Sequence, residues 1–135
     1  MSKKASEILG ESVIAGVQLE AQEAIKGMVG GVVGDILTGA DLKPTSLPGD
    51  HEGIFYVAVG PTKVGFFSMK RGMFKTSVNE LLVEHPRSAV QTVEIESGIM
   101  PKAHFVLADG THYVLMCARI NLGKLKQVRE LFATE

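Results

Sequence analysis

The sequence predicts an α+β chain: a small antiparallel β-barrel or sandwich, capped by a C-terminal amphipathic helix and preceded by an N-terminal helical region. Three observations predict it. Residues 5–39 are rich in Ala, Val, Ile, Leu, Glu and Gln and contain no proline. From Gly53 to about Asn121, runs of strand-formers alternate with turn signals. After Asn121, Leu122, Leu125, Val128, Leu131 and Phe132 recur at helical spacing among Lys124, Lys126, Arg129 and Glu130. The predicted division is 1–39 helical and glycine-rich, 40–52 a linker with Pro44, Pro48, Gly49 and Asp50, and 53–135 the β-domain.

The N-terminal region carries a row of apolar residues spaced by four: Leu9, Val13, Val17, Ala21, Ile25, Val29, Val33 and Leu37. A step of four over-rotates an α-helix by roughly 40°, so a continuous helix would carry Leu9 and Val29 on nearly opposite sides. It would also extend roughly 48 Å, longer than the roughly 36 Å diameter of a domain this size. The expectation is two helices, about 5–26 and 28–38, hinged near Gly27. Gly27 with Gly31, and Gly30 with Gly34, form two small-xxx-small pairs on an apolar stretch, which permit close backbone approach. These four glycines are candidate self-association residues, unless the segment covers its own β-domain or enters lipid. The five carboxylates of this region against Lys3, Lys4 and Lys26 give the wrong sign for an anionic-lipid anchor.

In the β-region, Ile54 to Val59 ends at the turn signal Gly60-Pro61-Thr62-Lys63, and Val64 to Lys70 returns. Leu81 to Glu84 is a short strand ahead of Pro86, and Val90 to Glu96 alternates as a half-buried strand. Ala103–Leu107 and Thr111–Cys117 flank Asp109-Gly110, which predicts a hairpin with a two-residue type I′ turn. That turn pairs Leu107 with His112 and His104 with Leu115. The two imidazoles then point to opposite sides of the sheet and cannot share a metal ion. His51 and His85 have no predictable partner, and no metal site or cofactor is expected.

The β-region resembles the bacterial pleckstrin-homology-like (PH-like) family. The likeness lies in Glu84-His85-Pro86-Arg87-Ser88-Ala89-Val90 followed by Val93-Glu94-Ile95, in the Leu107-Ala108-Asp109-Gly110-Thr111 hairpin, and in Arg119-Ile120-Asn121 ahead of the last helix. It covers about residues 50–134. The resemblance implies a binding or assembly module, a scaffold that is often homo-oligomeric in bacteria, and not an enzyme. Lipid-binding relatives grip phosphoinositides through a Lys…Lys/Arg-x-Arg pattern around the first hairpin. Lys63, Lys70, Arg71 and Lys75 are the corresponding anion or lipid candidates. Gly72 stands where the pattern places its arginine, so this chain departs from it.

Composition excludes other classes. The 135 residues make one domain's worth of chain, and 14 Lys and Arg against 15 Asp and Glu leave a net charge of −1. That balance, no tryptophan and two tyrosines argue against nucleic-acid binding. The single Cys117 excludes an intramolecular disulfide and a CxxC cluster, and among Leu115, Met116 and Ala118 it reads as a buried small hydrophobe. There is no HExxH, GxSxG or P-loop motif, and no catalytic residue is assigned. The acidic residues Glu7, Glu11, Glu20 and Glu23 interrupt any signal-peptide core. Met28 to Gly39 spans about half the roughly 20 residues of a membrane helix. The expectation is therefore a cytoplasmic protein that self-associates or docks on a protein partner. The alternative is a peripheral lipid-binding protein that uses the glycine-rich helix and the Lys63–Lys75 surface.

Overall fold

The computed structural model describes residues 2–21, 47–48, 53–73 and 76–133. Helix α1 (Ser2–Leu9) leads into strand β1 (Ala15–Ala21). There follow β2 (Ile54–Val59), β3 (Lys63–Arg71), β4 (Thr76–Pro86), β5 (Val90–Glu96), β6 (Lys102–Leu107), β7 (His112–Met116) and helix α2 (Leu122–Ala133). The strands form one antiparallel sheet in the order β4-β3-β2-β1-β7-β6-β5.

The sheet curls until its inner face meets itself. In a flat sheet, β3 and β6 would lie four strand spacings apart, roughly 19 Å. Instead the Phe66 ring on β3 sits 5.3 Å from Phe105 on β6 and 4.8 Å from Tyr113 on β7. Val17, Leu19, Phe55, Val57, Leu107 and Leu115 complete this interior, and α2 closes it with Leu125, Val128 and Phe132. The stripe predicted for the last helix is thus the stripe it buries.

All six residues of β2 are buried, because both faces of the strand are covered. Phe55, Val57 and Val59 face the interior. Ile54, Tyr56 and Ala58 face outward and pack with Phe67, Met69 and Val78 against Ala5 and Leu9 of α1. Gly65 leaves room for this helix: a Cβ there would lie 3.0 Å from the Leu9 side chain. Helix α1 ends at Gly10, where φ is 87° and the amide donates to the Ser6 carbonyl.

The first twenty-one residues depart from the predicted helix 5–26. A spacing of four is a multiple of two as well as close to one helical turn, so the row Leu9, Val13, Val17, Ala21 suits a strand face equally. Val17, Leu19 and Ala21 are buried while Gln18 and Glu20 are less so, which is the strand solution. The sheet accordingly begins well before Gly53, with β1 inserted between β2 and β7. The predicted helix 28–38 and Gly27, Gly30, Gly31 and Gly34 lie outside the described residues. Strand β4 is also longer than the predicted Leu81–Glu84. It is an edge strand, where Pro86 removes no ladder bond the sheet needs.

Candidate functional site

The β6–β7 hairpin sets the chemistry of the outer face. Its register pairs Val106 with His112 and His104 with Val114, one step away from the pairing predicted from a two-residue turn. A type I′ turn needs positive φ at both central residues, and among the described residues only glycines have positive φ. Gly110 alone supplies it here, at 96°, so the loop widens to Ala108, Asp109 and Gly110. Leu107 N–H donates to the Thr111 carbonyl, and Gly110 N–H donates to the Leu107 carbonyl. The Asp109 carboxylate accepts from Thr111 N–H at 2.9 Å, and that backbone bond holds its pKa below the usual value.

This one-residue shift corrects the separation of the histidines. His104 and His112 share one face of the sheet, with stacked rings 5.3 Å apart and 26° between planes. His104 Nδ1 lies 3.1 Å from His112 Nε2, and His104 Nε2 donates to Glu96 Oε1 at 2.8 Å. The result is a diagonal Glu96–His104–His112 array across β5, β6 and β7. Both imidazoles are buried, at 4% and 1% exposure. Burial first, and then the His104 charge, lower the His112 pKa from 6.5, while Glu94 opposes the shift. No group of three or more His, Cys, Asp or Glu among the described residues is placed to hold a metal ion.

A second polar pair lies in the interior, where His85 of β4 meets the Tyr113 hydroxyl of β7 at 2.9 Å. Burial raises the Tyr113 pKa. Beside it, Arg87 ties three segments together. Its guanidinium donates to the carbonyls of Gly60, Pro61 and Leu131 and lies 5.6 Å over the Phe132 ring. The adjoining open cleft of about 370 Å³ is lined by Pro61, Thr62, Arg87, Ser88 and Phe132. With three of its five N–H groups on backbone carbonyls, one of them that of Leu131, Arg87 acts there as a staple for α2.

The predicted basic surface is spread along β3. Lys63 and Lys70 stand seven residues apart near its two ends, roughly 23 Å. Lys63 donates to the Leu9 carbonyl and lies 3.6 Å from the Glu84 carboxylate. The Glu11 carboxylate fastens the same turn, accepting from Thr62 N–H, Thr62 Oγ1 and Lys63 N–H. The hydroxyl bond from Thr62 is the main cause of its lowered pKa. Lys70 and Arg71 are exposed at the far end, and Lys75 lies outside the described residues. Cys117 is buried, as expected, and burial raises its thiol pKa.

Sequence reasoning passed over one surface feature. Arg119 donates to the carbonyls of Gly98 and Ile99 at 2.9 and 3.3 Å, which clips the β5–β6 turn to the connection between β7 and α2. The clip holds Ile99 and Ile120 outward at 93% and 88% exposure. The signal was an isoleucine directly after Gly98 in the turn Ser97-Gly98-Ile99-Met100-Pro101, since connecting turns run over the surface. No helix among the described residues is long and apolar enough to cross a membrane. Comparison of the chain with protein-family models, curated proteins and solved structures finds no match.

Proposed function

We propose that this chain is a non-enzymatic PH-like binding and assembly module, which self-associates or docks on a protein partner through the Ile99–Ile120 corner. The observation that carries the reading is that pair of exposed isoleucines, on two segments that the Arg119 hydrogen bonds tie together. Isolated exposed apolar residues are ordinary, but two on segments tied to each other form a partly preorganised surface, which loses less entropy on docking. The curled seven-stranded sheet with its interior closed by α2 supports the PH-like reading, since the family resemblance implies that architecture.

A second reading has its own observation. Met73, 91% exposed, follows the exposed Lys70 and Arg71, so an apolar tip stands beside two cations, as a peripheral lipid contact requires. Light scattering after size-exclusion chromatography, run beside co-sedimentation with anionic liposomes, separates the two. Assembly through the corner predicts that Ile99→Ser with Ile120→Ser lowers the oligomer mass while leaving the circular dichroism spectrum unchanged. An unchanged mass in the double variant removes the corner from self-association. Liposome binding abolished by Lys70→Glu with Arg71→Glu favours the lipid reading.

A further inference from the structure

Two imidazoles that meet nitrogen to nitrogen can hold one hydrogen between them. The Glu96 carboxylate only accepts, so His104 Nε2 carries a hydrogen. With both rings neutral, His112 Nε2–H donates to His104 Nδ1 across the 3.1 Å contact. The bond needs one nitrogen of the contact to be without a hydrogen. When both rings are charged, each carries one there, and the bond breaks.

Charges of both signs surround the pair. On β5, Glu94 lies opposite His104 and Glu96 opposite Lys102. Lys102 is the other charged group on this face of β6, and His112 the only titratable group on this face of β7. Glu94 favours a charge on His112, but the His104 charge opposes it and burial opposes it more.

We propose that Glu96, His104 and His112 form a hydrogen-bonded relay that is split when both imidazoles are charged, so that acidification unlatches the outer face of β5–β7. Burial and the His104 charge both keep His112 neutral in the folded chain, below its ordinary value of 6.5. The unfolded chain therefore takes up this proton first. The His112 contribution to stability is at its full value above about pH 6.5 and is lost as the pH drops below it.

The test compares thermal unfolding of the parent chain and His112→Gln at about pH 7.5 and about pH 5. Gln keeps an N–H donor for His104 but does not titrate. The relay predicts that the parent loses several degrees more on acidification than the variant does. Nitrogen-15 NMR of the parent's histidine rings gives an independent reading should the variant not fold. It is expected to show His112 protonated at Nε2 and neutral near pH 7, with a midpoint below that of a free histidine. Equal acid losses in the two proteins, or a His112 midpoint at or above the free value, would overturn the relay.

Discussion

Gly110 decides more than its size suggests. Because it is the one residue of its loop in the left-handed region, it fixes a three-residue turn and thereby the register that joins His104 to His112. A Cβ at Gly110 would meet nothing within 4 Å, so any cost of substitution is backbone strain alone. Gly110→Val should destabilise the chain by about 1–2 kcal/mol, and Gly110→Asn by less, because asparagine tolerates this conformation. Urea denaturation checks the pair, and a valine variant as stable as the parent would contradict the strain argument. The sequence showed that a hairpin lies here. It did not show the loop length, since Asp109-Gly110 suits both a two-residue turn and a three-residue loop with a single left-handed glycine.

Among the elements, α1 is a cover for one half of the sheet. Leu9, 2% exposed, seats over Gly65 beside Phe67 and Leu81, and the polar contacts of Lys63 and Glu11 hold the following turn in place. Leu9→Ala leaves a void between helix and sheet and should cost about 2–4 kcal/mol by chemical denaturation. A cost under about 1 kcal/mol would mean that the helix is dispensable packing. Strands β2, β3, β5, β6 and β7 and helix α2 were legible because each carries a run with an unambiguous period or a firm turn signal. Strand β1 was not, because residues spaced by four satisfy both periods, and only its neighbours select the strand. The Glu96–His104–His112 array was hidden for a related reason: one step of register moves every side chain to the other face.

At the scale of the whole molecule, β1 is the keystone, paired on one side with β2 and on the other with β7. A fragment starting at Gly53, the predicted edge of the β-domain, lacks this strand and leaves β2 and β7 with unpaired backbone. Such a fragment should fail to fold cooperatively by circular dichroism, whereas residues 1–135 should unfold in one transition. A sharp transition in the fragment would show that β1 is an accessory.

The same topology has a consequence for synthesis on the ribosome. Strand β1 leaves early, yet its partner on one side, Leu115–Met116, follows roughly 95 residues later. At about 5–20 residues per second, that is a wait of roughly 5–20 seconds with one edge of a strand open. During this interval the nascent chain can assemble β1 through β4 but has nothing to close its interior. The last strands and α2 then arrive together and shut the sheet in a single late event.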